Sequence, residues 1–243
     1  MTALEVQQLR PGLWRWTTPH PDWGPSLDRP CGWPRMVGCV YYEAAEALVL
    51  VDPLAPPEGT EEYARFWNAL DRDLERAQRP LAILLSSDWH ERSAQAVYDR
   101  YREQVPVAIW AHEAALPRVA CVITATVPAG AVGFALPGGV HAYEIGIPYQ
   151  SELAFYLPAD CTLVCGDSLI GVGAGRVRVT PSWWVGARPE AQERYRALLR
   201  PALRRLLDLP IDLLITSHGP PVLARGREAL EEALAAPAWG EEE

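Results

Sequence analysis

The residues best placed to do chemistry lie in Leu84 to Ala94, LLSSDWHERSA, where a polar, histidine-bearing turn separates an apolar run from a helical pattern. The apolar run Leu81 to Leu85 is short, bounded by Arg79-Pro80 and Ser86-Ser87, and reads as a buried strand. From Ser93 onward Ala94, Val97, Tyr98 and Tyr101 recur at three- and four-residue spacing, which predicts an amphipathic helix with Ser93 at its N-cap. Ser87 to Arg92 therefore sit at the carboxyl end of a strand, where open α/β sheets gather their ligands. Two later corners are also polar: Asp167-Ser168 after the apolar Thr162 to Cys165, and Thr216-Ser217-His218-Gly219 after Ile211 to Ile215. A carboxylate and an imidazole at such corners either do chemistry or, as a buried pair, hold two strand ends together.

The elements that must position these corners follow from the apolar pattern. Leu13 to Thr18 alternates as LWRWTT and predicts a strand, after which Pro19 to Pro34 is too rich in Pro, Gly and Trp for a regular element. A loop this long, at about 19–35, is more often a functional cover than an accident, and His20, Trp23 and Trp33 equip it either to contact a ligand or to pin itself to the core. Val37 to Glu43 and Ala47 to Val51 predict a hairpin that closes on Asp52-Pro53. From Thr60, a capping residue, Tyr63, Phe66, Trp67, Leu70 and Leu74 share one helical face, with Glu61 and Glu62 favouring the amino end and Arg76 and Arg79 the other. Short strands are predicted at Val105 to Trp110, Val119 to Ile123, Val132 to Ala135 and Val140 to Ile145, then a hairpin of Leu153 to Leu157 with Thr162 to Cys165. A helix starts at Pro189 and is bent or restarted by Pro201, Ile211 to Ile215 is a last buried strand, and Arg225 to Ala235 is a terminal helix. Two clusters of strands, each followed by helices, imply sheet layers faced by helices.

Composition narrows the function classes. At 243 residues, with 49% hydrophobic and 22% charged, the chain is expected to form a single globular domain spanning residues 1–243. A net charge of −9 argues against nucleic acid, which needs a concentrated basic face. Every basic residue is arginine, a bias expected of a GC-rich genome or a hot habitat. The five cysteines, Cys31, Cys39, Cys121, Cys161 and Cys165, contain no CxxC pair, and no charged-then-apolar leader opens the chain, so a secreted disulfide framework is not expected. No apolar run reaches membrane-spanning length. The expectation is a cytoplasmic protein whose partner is a small molecule, with neither membrane nor nucleic acid involved; the sequence sets no oligomeric state.

Four pieces in order, LVLVDP, ILLSSDWHERSA, ELAFYLPADCTLVCGDSL and LLITSHG, resemble the metallo-β-lactamase fold family over nearly the whole chain. The resemblance implies an α+β fold, a four-layer αββα sandwich, whose members are mostly metal-dependent hydrolases. The family's THxHxDH signature is eroded: it places Ser87 and Trp89 where two histidines belong, Glu91 at its aspartate and Arg92 at its last histidine. His90 falls at a spacer position, which a shift of one residue in the turn would bring into the site. The family's next histidine falls on Pro148 or a neighbour in IGIPYQSEL. Asp167 and His218 survive as ligands, and Asp52 matches the family's structural aspartate.

The resemblance thus leaves two states for the site. Glu91, Asp167 and His218 would hold one divalent metal, Zn, Mn or Fe, whose bound water is the nucleophile. Alternatively there is no cofactor, and Arg92, which cannot lose its proton, pairs with Asp167 or Glu91 and receives an anionic group of a ligand. The expected function is accordingly a single-metal hydrolase of a small ester or thioester, or a non-catalytic binder. The catalytic candidates are Asp167, His218, His90 and Arg92, and Trp89, Arg92, Trp183 and Trp184 would line a pocket for an aromatic or acyl ligand. A competing reading rests on Gly166 to Leu169, GDSL, which resembles the nucleophile block of GDSL-type serine esterases, with Ser168 as nucleophile and His218 as base. That block normally follows the first strand of its domain, which it does not do here. Gly171, Gly173 and Gly175 imitate a dinucleotide loop, but the strand-like RVRVTPSWW that follows offers no helix terminus; His112 and His141 have no partner spacing.

Overall fold

The structure, a computed structural model, describes residues 4–27, 32–147 and 149–241. Its strands form two sheets joined at a single register pair. In the first, β1 (Glu5–Arg10), β2 (Leu13–Pro19), β3 (Met36–Glu43) and β4 (Leu48–Val51) are antiparallel neighbours, and β5 (Leu81–Leu84), β6 (Val107–His112) and β7 (Ala125–Val127) continue parallel to β4. In the second, β8 (Val132–Ala135), β9 (His141–Glu144), β10 (Leu153–Leu157) and β11 (Thr162–Gly173) are antiparallel, and β12 (Arg176–Val179) pairs with the far half of β11. The last strand, β13 (Leu213–His218), lies parallel to β11 and meets the first sheet where His218 pairs with Val37 of β3.

The layering follows from side chains that alternate along each strand. Val49, Val51, Ala82 and Leu84 point between the sheets and meet Phe155, Leu157, Leu213 and Ile215 from the other side. Their neighbours Leu48, Leu50, Leu81 and Ile83 point outward onto Trp67, Leu70 and Leu74 of α1 (Glu61–Ala77) and Val97 and Tyr101 of α2 (Ala94–Tyr101). On the far side Ala154, Tyr156, Leu163 and Leu214 pack on Tyr195, Leu199 and Leu203 of α3 (Pro189–Arg204) and on Leu230 and Leu234 of α4 (Gly226–Ala235). Three apolar interfaces between helix, sheet, sheet and helix make the αββα sandwich. They also explain why the central strands read as unbroken apolar runs, since both of their faces are buried.

Several local expectations change. Thr60 caps α1 as predicted, its Oγ1 accepting from the Tyr63 amide at 3.1 Å. Ser93 makes no cap; its Oγ instead accepts from the Ala55 amide, tying α2 to the chain that leaves β4. Val119 to Ile123 is not a strand, because side chains take its amides: Glu91 accepts from Ala120 and Cys121, and Gln95 from Val122. Pro201 does not interrupt α3, which runs unbroken with Leu199 and Leu203 held in the core. Thr162 to Cys165 proves to be only the start of a twelve-residue strand, so GDSL lies inside β11, where the register against β13 breaks between Cys165 and Ile170. Among the described residues no helix is long and apolar enough to cross a membrane.

Candidate functional site

Three strand ends and the register break of a fourth strand deliver polar side chains to one place. Asp52 follows β4, the turn Ser86 to Arg92 follows β5, Asp167 lies at the register break of β11, and His218 closes β13. Asp52 has a left-handed backbone, φ 50°, as does Arg92, φ 41°. Such a conformation is unfavourable for residues other than glycine and persists only where the surroundings enforce it. Here the enforcing contacts are visible. The Asp52 carboxylate accepts from the Ser86 amide at 2.7 Å and the Ser86 hydroxyl at 2.6 Å, and the Asp52 carbonyl accepts from Nη1 of Arg92 at 3.1 Å.

His90 occupies the centre. Its Nδ1 lies 2.9 Å from Oδ2 of Asp52 and 2.7 Å from Oγ of Ser86, and its Nε2 lies 3.3 Å from Oδ1 of Asp167. Nε2 of His218 approaches the same Oδ1 at 3.2 Å. These five residues are all less than a tenth exposed. Burial and the nearby Arg92 act against a charge on His90, but Asp167 and Asp52 on either side outweigh them and lift its pKa to about 9. Burial likewise opposes the ionisation of Asp52 and Asp167, and His90 overrides it, holding Asp52 below and Asp167 well below the usual carboxylate range. His218 behaves oppositely. Burial lowers its pKa despite Asp167, so its imidazole is neutral at pH 7. The site therefore holds a linear charge pattern, carboxylate, imidazolium, carboxylate, ending in a neutral imidazole whose Nδ1 is buried without a partner.

Glu152 supports this arrangement from below and carries no sequence signal beyond standing ahead of an apolar strand. It is fully buried, and its Oε1 accepts from the amides of Asp167 at 2.9 Å and Ser168 at 3.1 Å, which fixes the corner of β11. Burial, then the charge of Asp167, raises its pKa well above the usual range, so it is a neutral acid. Ser86, which hydrogen-bonds both Asp52 and His90, was equally silent in the sequence.

Aromatic rings stand over His218. Trp184 is 5.3 Å away, ring centre to ring centre, at 84°, and Trp33 is 5.6 Å away at 57°. Trp183 packs on Trp184, Trp239 backs Trp184, and His20 meets Trp33 edge-on at 5.1 Å. His20, its pKa lowered to about 4 by burial and by Arg92, is neutral. The loop residues His20 and Trp33 and the candidates Trp183 and Trp184 thus gather here, while Trp89 does not. It is 66% exposed and faces Tyr149.

The structure divides the other sequence candidates. His90, placed at a spacer, is brought in by the turn and sits at the centre. Arg92 points behind the site, its Nη1 donating to the Gly38 and Asp52 carbonyls and to Sγ of Cys39, so it pairs with neither Asp167 nor Glu91. Glu91 is engaged with the Ala120 and Cys121 amides, and the expected set Glu91, Asp167 and His218 is not assembled. Ser168 is fully buried and no hydrogen bond joins its Oγ to His218, which removes the geometric basis of the serine-esterase reading. Pro148 lies outside the described residues.

A metal of the kind the fold implies needs donors ringing a common centre at about 2.0–2.2 Å each. Two imidazole nitrogens do approach Asp167, but the hub of that convergence is Oδ1 itself, and Nδ1 of His90 is turned to Asp52. Among the described residues no group of three His, Cys, Asp or Glu could hold a metal ion. The residues present do not fit the metal.

No protein-family model matches the chain, and no curated protein sequence matches it. Solved structures do. A metallo-beta-lactamase from Pontibacter korlensis superposes with a TM-score of 0.62 at 20% identity, over 96% of this chain and 100% of that one. A metallo-beta-lactamase from Erythrobacter litoralis gives 0.62 at 18% identity, over 96% and 91%. A metallo-beta-lactamase family protein from Thermus thermophilus gives 0.58 at 19% identity, over 94% and 80%. These likenesses, over nearly the whole of this chain, show that the chain has the metallo-β-lactamase fold.

Proposed function

We propose that this chain is a hydrolase-like protein that works without a metal ion, binding a small molecule against the Asp167–His218 pair, with His218 as the proton acceptor. The observation that supports this reading is the position of His90, 2.9 Å from one buried carboxylate and 3.3 Å from the other. An imidazolium there supplies the positive charge that a cation supplies in metal-dependent members of the fold, and it leaves Asp167 balanced. His218 then differs from a ligand histidine. Its ring faces Asp167 through Nε2 at 3.2 Å, and in the tautomer that carries the proton on Nε2 a lone pair is left on Nδ1. In hydrolysis of a small ester or thioester, Nδ1 would take a proton from water as the water oxygen attacks the carbonyl, and Asp167 would stabilise the imidazolium so formed. As the tetrahedral intermediate collapses and the C–O or C–S bond breaks, the imidazolium would return that proton to the leaving alkoxide or thiolate.

Elemental analysis of protein purified without chelator, and again after incubation with Zn²⁺ and desalting, tests the reading. The expected result is no retained transition metal. A stoichiometric ion would overturn it in favour of a single-metal hydrolase in which His90 takes the place expected for Glu91.

A further inference from the structure

We infer that Arg15 positions His218, fixing from outside the site the corner that aims its ring at Asp167; this rests on the reading above for what His218 does there. Arg15 lies in β2, a strand that supplies none of the site's side chains. Its Nη2 donates to the carbonyl of Gly219, the residue after His218, at 2.7 Å.

The guanidinium is costly where it stands. It is buried, burial lowers its pKa, and Glu5 on the neighbouring strand β1 helps its charge only at a distance. Among the described residues the bond to Gly219 is its only hydrogen bond, and its Nε is buried without one. A methionine would fill the same space without removing a cation from water, so packing does not account for the choice. The fold also makes room for the group, since a Cβ on Gly38 of β3 would stand 2.6 Å from Nη2.

The corner is where such a bond has most to fix. Gly219 has a left-handed backbone, φ 76°, and a glycine is the most permissive link in a chain. Two successive carbonyls are held across it: the Thr216 hydroxyl donates to that of His218 at 2.7 Å, and Arg15 to that of Gly219. On the other side His218 is anchored by its pairing with Val37. With both following peptides held, the backbone of His218 keeps one orientation, and its Nε2 comes to 3.2 Å from Oδ1 of Asp167. Without Arg15 the Gly219 link turns, and the direction of the ring turns with it.

Two measurements on the full chain test this. In the wild-type protein, NMR should show coupling between Nη2 of Arg15 and the carbonyl carbon of Gly219 through the hydrogen bond; a freely rotating guanidinium would overturn the assignment without any variant. The second compares Arg15→Met, which keeps an apolar stem, with Leu74→Ala, which loosens α1 away from the site. Trp184 and Trp33 lie 5.3 and 5.6 Å from the His218 ring, so its ring-proton resonances report its direction through their ring currents, at one pH and whichever nitrogen carries the proton. Both variants should melt below the wild type. Only Arg15→Met should shift those resonances, and Arg15→Lys, which restores a donor, should bring them back towards the wild-type position. Unmoved resonances in Arg15→Met, an equal shift in Leu74→Ala, or no return in Arg15→Lys overturns the inference and leaves Arg15 a structural residue. Metal content of the same samples is a separate outcome: a retained ion overturns the metal-free reading and leaves the positioning of His218 to be judged by the resonances alone.

Discussion

His90 carries more of this site than its place in the sequence indicates, and its charge has a consequence for stability. Its pKa is raised from 6.5 to about 9 in the folded protein. A group raised on folding contributes fully below its unfolded pKa and loses that contribution as pH rises through the folded one. Urea unfolding should therefore show stability falling between about pH 6.5 and pH 9, by on the order of 3 kcal/mol. A flat profile across that window would mean His90 is not the buried cation. Glu152 acts in the other sense. Its carboxyl stays protonated in the fold and ionises freely in the unfolded chain, so above its ordinary range it opposes folding. Glu152→Gln keeps an acceptor for the Asp167 and Ser168 amides without that cost, and should raise stability at pH 7, the gain shrinking towards pH 4.5. Equal stability of the two proteins at both pH values would refute the neutral-acid assignment.

At the scale of elements, strands whose two faces are buried were legible because nothing but apolar residues fits them, as in Leu48 to Val51 and Leu81 to Leu84. The carboxyl-end turn and the His218 corner were legible as polar letters after such runs, and Asp167, inside β11, only through the family resemblance. Which side chain each corner turns inward was not, because that depends on backbone angles such as φ 41° at Arg92, which the letters do not encode. The same limit hid Glu152 and Ser86, whose roles come from long-range hydrogen bonds. It also made Val119 to Ile123 look like a strand, when side chains from the turn and α2 hold its amides. The close crossing of the His218 corner over β11 is likewise tertiary. A Cβ on Gly171 would collide with the carbonyl of Pro220, and one on Gly219, φ 76°, with the carbonyl of Gly171. Gly171→Ala should cost at least about 3 kcal/mol, since the obstruction is backbone. Gly173→Ala, two positions along in open space, should cost only about 1 kcal/mol for its positive φ. Similar melting temperatures for the two variants would show that the crossing is looser than described.

For the molecule as a whole, cohesion lies in three apolar interfaces that need no ion. A ligand that binds only the folded state raises its stability by mass action, and its removal lowers it. Chelator should accordingly leave the melting temperature unchanged, and added Zn²⁺ should not raise it; a shift with either would point to a resident metal. Among the described residues the two sheets share a single strand pairing, His218 with Val37, yet at the site end they are also bridged by the Leu153 amide donating to the Ser86 carbonyl and by His90 reaching from Asp52 to Asp167. His90 is thus a rivet through two plates, and one that alkali draws out. Above its pKa the sandwich should unbutton from that margin inward, so that amides such as Ser86 and Leu153 trade deuterium well before those buried along β4 and β5.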